Sequence, residues 1–258
     1  MTGTIARRSR MANAFRLFAI SLAVALLLLA APGAARAEIP AGCSAGPQNF
    51  DWTRHSDLDP SQLQLVYYRC AFYDGEVAAV LYGAREWVKW RAGYVHNPAL
   101  VLDIDETSLS NWKVLYQNKF AYVATGPCNF SKGSTCGENA WEQSARAPAI
   151  APTRDLFNTA KREHVTIFFV TGRPESPAER AATVTNLHRA GYDGWQRLYM
   201  RTKQFAEPSV APFKTWARSD IEAHGYTIIA NVGDQWSDID NGHAERIFKV
   251  PDPFYYIP

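Results

Sequence analysis

Apolar residues recur at helical spacing from residue 61 to about residue 92, after which short apolar runs alternate with helical segments. The short runs predict five strands, at residues 99–103, 165–170, 196–200, 226–231 and about 246–250. Amphipathic helices are predicted between them at residues 153–163, 177–190 and 212–224. Strands that alternate with helices of this length indicate an α/β fold with a parallel sheet covered on both faces.

The first 37 residues contain five arginines and no acidic residue, and they include an apolar run of 15 residues, 17–31. Small residues follow and end in Ala35-Arg36-Ala37. A basic segment, an apolar run and an A-x-A site are typical of a signal peptide. An uncleaved anchor is disfavoured because a bilayer-spanning helix needs about 20 apolar residues. We therefore predict a signal peptide at residues 1–37, a secreted or periplasmic protein, and no membrane attachment after cleavage.

Removal of this segment changes the charge of the protein. The remaining residues carry 22 of the 27 Lys and Arg and all 25 Asp and Glu, a formal charge of −3. This balance argues against nucleic acid or an anionic membrane as a partner.

Four cysteines, an even number, lie in the part of the chain that would be exported: Cys43, Cys70, Cys128 and Cys136. In such a chain they predict two disulfides, for which three pairings are possible. Cys128–Cys136 would close a short polar loop, so we favour it, with Cys43–Cys70 as the second bond. No C-x-x-C spacing or nearby histidine pair supports a zinc site.

Four carboxylates follow predicted strands. Asp103 ends the first strand and Asp105 lies two residues later, whereas Asp234 and Asp238 follow the strand at 226–231. In parallel sheets, ligands bind beyond the carboxyl ends of the strands. Converging carboxylates repel one another unless a cation or protons neutralise them. All-oxygen ligands favour a hard cation, and we predict Mg²⁺ before Ca²⁺ or Mn²⁺.

Two further segments suggest a phosphate site. Thr171-Gly172-Arg173 follows the strand at 165–170 and is expected at a helix N-terminus, where a hydroxyl and backbone N–H groups can hold phosphate oxygens. Lys214 lies early in a predicted helix and could supply a positive charge. Such a set suits phosphoryl transfer to a carboxylate nucleophile, with a second Asp as the acid.

The sequence resembles the haloacid dehalogenase (HAD) superfamily, in particular its subfamily IIIB acid phosphatases, which include plant vegetative storage proteins. The resemblance covers roughly residues 60–258. It is carried by seven segments: Asp103-Ile-Asp-Glu-Thr107, Ala147-Pro-Ala149, Phe169-Val-Thr-Gly-Arg-Pro-Glu175, Gly191-Tyr-Asp-Gly-Trp195, Gly225-Tyr226, Gly233-Asp-Gln-Trp-Ser-Asp238 and residues 248–257.

The resemblance implies a role for each matching residue. Asp103 would be the nucleophile and Asp105 the general acid and base. Thr171 and Gly172 would bind the phosphoryl group, and Lys214 would stabilise its charge, with Lys203 as the rival lysine. The Mg²⁺ ligands would be Asp103, the Asp105 carbonyl, Asp234 and, in a supporting position, Asp238.

The resemblance also implies a Rossmann-like three-layer HAD fold with an N-terminal helical extension and a small cap. We predict a lead-in and helical extension at residues 38–98 and a phosphatase core at 99–258, with the cap inserted at about 108–150. The sequence pattern of this insertion predicts irregular structure. The insertion contains five aromatic residues, Trp112, Tyr116, Phe120, Tyr122 and Trp141. They could stack a nucleobase or form the core of a disulfide-closed cap, and we favour the core.

The function expected is that of a secreted, Mg²⁺-dependent acid phosphatase that hydrolyses small phosphate monoesters through an aspartyl-phosphate. Nucleotides, sugar phosphates and broad scavenging remain open as substrates, and so does the oligomeric state. The alternatives are a catalytically weak storage or phosphate-binding protein of the same fold, and a phosphotransferase that uses an alcohol as acceptor.

Overall fold

A parallel sheet lies at the centre of the computed structural model, which describes residues 40–43, 57–131, 133–206 and 208–257. Its five strands are β1 (Pro98–Leu102), β2 (Thr166–Pro174), β3 (Arg197–Arg201), β4 (Thr227–Gly233) and β5 (Ile247–Lys249). Their order is β3-β2-β1-β4-β5, and every neighbouring pair is parallel. The predicted α/β architecture is confirmed.

Helices cover both faces of this sheet. In chain order they are α1 (Pro60–Tyr68), α2 (Asp74–Arg91), α3 (Trp112–Gln117), α4 (Glu138–Ser144), α5 (Ala151–Arg162), α6 (Pro177–Arg189), α7 (Ala211–Ala223) and α8 (Trp236–Ile239). Alternate residues of β1 enter two separate cores, because successive strand side chains point to opposite faces. Leu100 and Leu102 join the core that contains α2, α5 and α6, whereas Ala99 and Val101 join the core that contains α7.

The N-terminal helical extension is one continuous helical segment. A π-helical turn, Arg69–Tyr73, joins α1 to α2, and Asp59 caps α1 in a capping box with Gln62. Gly75 lies in the first turn of α2 and does not interrupt the segment. The indole Nε1 of Trp87 donates to the carbonyl of Ile229 in β4 at 2.7 Å, which fastens α2 to the sheet.

The segment at 108–150, expected to be irregular, contains the two short helices α3 and α4. They have six and seven residues, too few to produce a readable helical period. Trp112 packs against Phe120 with ring centroids 5.8 Å apart, and Trp141 packs against Phe130 at 5.5 Å. Of the five aromatic residues considered for base stacking, Tyr122 is the most exposed, at 79%.

The two disulfides have the pairing favoured from the sequence, Cys43–Cys70 and Cys128–Cys136. The predicted signal peptide, residues 1–37, lies outside the described residues. In the part of the chain that the structure describes, no helix has the length and apolarity needed to cross a bilayer. The boundaries proposed for the extension, core and cap stay predictions.

Candidate active site

The carboxyl ends of two adjacent strands bring the predicted carboxylates together. β1 and β4 are neighbours, and Leu102 pairs with Val232 at their ends. Asp103, the residue after β1, donates its backbone N–H to the carbonyl of Val232 at 3.0 Å. Asp234 directly follows β4, and Asp238 lies in the short helix α8 that comes next. The parallel pairing therefore gathers residues that are about 130 positions apart in the chain.

Asp103, Asp234 and Asp238 are buried, and each offers a carboxylate oxygen within 4.8 Å of the others. The ammonium of Lys214 lies among them. Its Nζ donates to Asp103 Oδ1 at 2.7 Å and also to Asp238 Oδ1. Lys203, the rival lysine, is exposed on a 3₁₀ turn. The structure thus places Lys214, and not Lys203, against the carboxylates.

Burial shifts the pKa values of Asp103, Asp234 and Lys214. It raises the pKa of Asp103 well above its usual range, and the charge of Asp238 raises it further, against the lowering influence of Lys214. Burial likewise raises the pKa of Asp234, with Asp238 again adding to the effect. For Lys214, burial lowers the pKa, but Asp103 and Asp238 more than offset it, so the ammonium stays charged. One cation therefore faces three buried carboxylates, and the pKa values of two of them, Asp103 and Asp234, are raised.

This donor set fits a divalent cation. It consists of oxygen ligands only, which hard cations such as Mg²⁺ prefer. Three ionised carboxylates with one ammonium leave a net charge of about −2, which a divalent cation would balance. Asp103, Asp234 and Asp238 are the side chains that could hold it.

Gly233 makes room for this arrangement. A Cβ on this residue would lie 2.2 Å from Cβ of Asp238, far inside van der Waals contact. Any side chain at the end of β4 would push Asp238 away from Lys214. The glycine is therefore required by the close approach of α8 to the strand.

The side chain of Asp105 does not join this cluster but pairs with Arg173. The guanidinium is buried and binds in a bidentate manner, with Nε 2.9 Å from Oδ2 and Nη2 2.6 Å from Oδ1. Asn111 Nδ2 adds a hydrogen bond to Oδ1 at 2.8 Å. Burial raises the pKa of Asp105, but the charge and hydrogen bonds of Arg173, with that of Asn111, outweigh it and leave the pKa below its usual value.

Further acidic side chains surround Arg173. Glu142 of α4 lies 3.4 Å from its Nε, and the buried Glu179 of α6 lies 4.0 Å from Nη1. Burial raises the pKa of Glu142 to about 9, against the lowering influence of Arg173. Arg173 therefore joins α4 of the inserted segment, α6 and Asp105 into one charged network.

Thr171 and Gly172 lie in a strand and not at a helix N-terminus, which corrects the expectation from sequence. β2 continues to Pro174, and α6 begins only at Pro177, where Ser176 is the N-cap. The register of β2 against β3 shifts between Thr171 and Pro174. Such an irregularity changes the direction in which side chains point. The buried Thr171 hydroxyl accepts a hydrogen bond from the backbone N–H of Arg173 at 3.2 Å.

Sequence reasoning assigned no role to several residues that line the site. Arg173 lies two residues after Thr171, beyond the end of the predicted strand, and its spacing gave no sign that it pairs with Asp105. Asn111 Nδ2 links Asp105 to Glu106, at 2.8 and 2.9 Å. Gln235 and Asp252 contact each other and Asp234, and nothing in their spacing pointed to this contact.

Comparison with known proteins places this arrangement in a family. The model of the HAD superfamily, subfamily IIIB (acid phosphatase), matches residues 44–258. The chain belongs to this family. The resemblance inferred from the sequence is thereby confirmed, and the HAD match covers the sheet, the carboxylate cluster and the Arg173 network together.

Among similar proteins, the stem 28 kDa glycoprotein of Glycine max is 34% identical over 160 residues, 61% of this chain and 59% of that protein. Acid phosphatase 1 of Solanum lycopersicum is 30% identical over 158 residues, 61% of this chain and 58% of that protein. Vegetative storage protein 1 of Arabidopsis thaliana is 28% identical over 159 residues, 61% of this chain and 55% of that protein. The matched segment thus spans less than two thirds of each of these relatives.

The fold is similar to that of the class C acid phosphatase from Bacillus anthracis. The TM-score is 0.57 at 20% sequence identity, and the match covers 76% of this chain and 85% of that chain. The same enzyme with tungstate bound gives a TM-score of 0.56 at the same identity. These likenesses support the three-layer HAD fold.

Proposed function

We propose that this protein is an exported, Mg²⁺-dependent acid phosphatase that hydrolyses small phosphate monoesters through an aspartyl-phosphate on Asp103. The observation that carries the proposal is the position of Asp103. Its carboxylate is buried beyond the end of β1 and hydrogen-bonded to Lys214, in a group with Asp234 and Asp238 that could hold a cation. An acid phosphatase family and a carboxylate nucleophile site thus coincide in one chain.

In the first step, an Asp103 oxygen attacks phosphorus and the bond from phosphorus to the ester oxygen breaks. Asp105, whose pKa is lowered by Arg173, would have to be protonated for this step. Its proton passes to that oxygen, and the alcohol leaves. Asp105 then takes a proton from water, whose oxygen attacks the phosphorus of the aspartyl-phosphate and releases phosphate and the Asp103 carboxylate. Thr171, Gly172 and Lys214 would bind the transferred phosphoryl oxygens. A bound Mg²⁺ supplies charge neutralisation on the phosphoryl group.

Hydrolysis of p-nitrophenyl phosphate by the oxidised protein without residues 1–37 tests this function. We expect turnover that requires Mg²⁺ and is lost in EDTA, for any pH between 4 and 8 at which the enzyme is active. The phosphotransferase alternative predicts, in addition, phosphorylated glycerol when glycerol is added. Absence of turnover in folded protein with millimolar Mg²⁺ would contradict the proposal.

Mg²⁺ is expected to stabilise the protein, because it would relieve the repulsion among three buried carboxylates. At a concentration 100 times the dissociation constant, the stabilisation is about 2.7 kcal/mol, which raises the melting temperature by about 5–10 °C in a protein of this size. Differential scanning calorimetry with Mg²⁺ or EDTA measures the shift. Asp234→Asn should abolish it, and an equal shift in this variant would place the cation elsewhere.

Arg173→Lys is expected to lower kcat/KM for p-nitrophenyl phosphate. Lysine keeps the charge but cannot bind both Asp105 oxygens in the fixed geometry of a guanidinium. Loss of a charged hydrogen bond of this kind, about 1.5–3 kcal/mol, corresponds to a factor of about 10–100. Arg180→Lys is the matched control, since Arg180 pairs with Glu175 near the surface. Equal activity in the two variants would show that the bidentate contact is dispensable.

A catalytically weak storage protein is the second candidate, favoured by the relatives named vegetative storage proteins. Two observations support the enzyme instead: all the carboxylates of the predicted mechanism are present, and Lys214 contacts two of them. If the chain is a storage protein, it should fold and be stabilised by Mg²⁺ but hydrolyse none of a panel of nucleotides and sugar phosphates. The same panel would identify the substrate class of the enzyme.

Two features of the chain support export. The two disulfides are typical of proteins that leave the reducing cytosol. The basic and apolar pattern of residues 1–37 is typical of a signal peptide. Secretion or periplasmic localisation follows from both, and fractionation of cells that express the full chain, with sequencing of the new N-terminus, tests it.

A further inference from the structure

We propose that Gln235 and Asp252 are positioning residues that orient the Asp234 carboxylate for cation binding. The inference rests on the metal-dependent part of the proposed function. Neither residue belongs to the group of carboxylates that could hold the cation. Gln235 lies between β4 and α8, and Asp252 lies in the segment that follows β5, for which the reaction itself requires no role.

The side chain of Gln235 uses all of its polar atoms. Nε2 donates to Asp234 Oδ2 at 2.7 Å and to Asp252 Oδ2 at 2.9 Å. Oε1 accepts the backbone N–H of Ile257 at 3.2 Å. Two carboxylates on one side and an N–H donor on the other fix the orientation of the amide, because the reverse orientation would set donor against donor. The amide thus holds Asp234 and the segment after β5 at a fixed separation.

Asp252 is itself held in place by its neighbours in that segment. Its Oδ1 accepts the backbone N–H of Phe254 at 2.9 Å, while Oδ2 faces Gln235. Phe254 is buried, and its ring lies 5.2 Å from that of Trp112 and 5.3 Å from that of Tyr73. The acceptor for Gln235 is therefore anchored through an aromatic core that joins the extension, the inserted segment and the end of the chain.

A nearby ammonium compensates part of the charge of these two carboxylates. Lys249 Nζ donates to the backbone carbonyl of Asp234, and to that of Val250 at 3.1 Å. Asp252 accepts a hydrogen bond from Gln235 and is not one of the three carboxylates of the candidate cation group.

The consequence for Asp234 is a carboxylate with a donor on each oxygen. Thr107 Oγ1 donates to Oδ1 at 2.9 Å, and Gln235 Nε2 donates to Oδ2. Each carboxylate oxygen can accept a second bond, so these donors fix the plane of the group and leave positions for a cation. Partners of this kind orient the ligands of metal sites, and their loss typically weakens metal binding about 10–100-fold.

Gln235→Met tests the inference, because methionine keeps the length of the side chain and removes both donor and acceptor. We expect the dissociation constant for Mn²⁺, measured from the free-ion electron paramagnetic resonance signal, to rise about 10–100-fold. We expect kcat at saturating Mn²⁺ to stay close to that of the wild type and KM for p-nitrophenyl phosphate to be unchanged. Asp252→Leu, which removes the acceptor for the same amide, should weaken Mn²⁺ binding in the same direction.

Gln204→Met is the matched control, since Gln204 is exposed on the 3₁₀ turn Lys203–Phe205 and should leave Mn²⁺ affinity unchanged. Melting temperatures in EDTA separate positioning from folding. A purely structural role would lower them and would reduce kcat in a way that saturating Mn²⁺ does not restore. Wild-type Mn²⁺ affinity in Gln235→Met would overturn this inference alone, whereas absence of Mn²⁺ binding in the wild type would overturn it together with the proposed metal site.

Discussion

Asp103→Asn is expected to abolish phosphatase activity, with kcat for p-nitrophenyl phosphate lowered about 10⁴-fold or more. An amide cannot form the acyl phosphate, and no other carboxylate in the described cluster occupies the position directly after β1. The variant should nevertheless fold. Its amide oxygen can still accept the hydrogen bond from Lys214. The substitution also removes one charge from a buried group in which burial and the charges of Asp238 and Asp234 raise the pKa of Asp103, so repulsion within the group decreases.

The control for this substitution is Asp240→Asn, the same chemical change at an exposed carboxylate near α8. Activity and melting temperature should be measured on both variants beside the wild type. We expect Asp240→Asn to match the wild type in both. Wild-type rates in Asp103→Asn would show that the nucleophile is another group, whereas loss of folding in this variant would contradict our account of repulsion in the cluster.

Lys214→Met is expected to have the second-largest effect, and to change both activity and stability. Methionine fills a similar space without the ammonium that contacts Asp103 and Asp238. Removal of one partner from a buried ion pair typically destabilises a protein by about 3–5 kcal/mol. Loss of a positive group that faces the developing phosphoryl charge typically lowers kcat about 10²–10³-fold.

Lys203→Met is the matched control, and it also decides between the two lysines considered from the sequence. Lys203 is exposed, so we expect its replacement to leave kcat and the free energy of unfolding in EDTA close to wild-type values. For Lys214→Met, denaturation in urea with and without Mg²⁺ should show that the cation recovers part of the lost stability. A large loss of activity in Lys203→Met with little loss in Lys214→Met would reverse the assignment.

The sequence predicted most of the framework because the physical signals are local. Buried parallel strands are short apolar runs, and the helices between them have a readable amphipathic period, so the order of elements from β1 to β5 follows directly. The expected boundaries differ from the observed ones by a few residues. The two helices of the inserted segment were missed, because a helix of six or seven residues has fewer than two full turns of pattern.

The candidate site was predictable where its residues directly follow strands. Asp103 and Asp234 were singled out because they follow predicted strands, and the parallel pairing of β1 with β4 brings the two carboxylates together. The resemblance to the HAD family implied their roles and that of Lys214, which lies in a helix. The expectation for Thr171 was wrong in its local structure. The strand β2 continues past Thr171 because the residues up to Pro174 still pair with β3, in a shifted register that no single-chain pattern reveals.

The sequence by itself determined the fold class, the order along the chain of the strands that end in carboxylates, and the pairing favoured for the cysteines, because each depends on spacing along the chain. The choice of Asp103 as candidate nucleophile rested on the resemblance to the HAD family. Only the tertiary structure decided which charges meet. Three contacts join segments that are far apart in sequence: Arg173 pairs with Asp105, Lys214 lies between two carboxylates, and Asp252 accepts from Gln235 beside Asp234. Such contacts depend on distance and burial, and these arise only when the sheet brings separate strand ends and the segment after β5 to one edge.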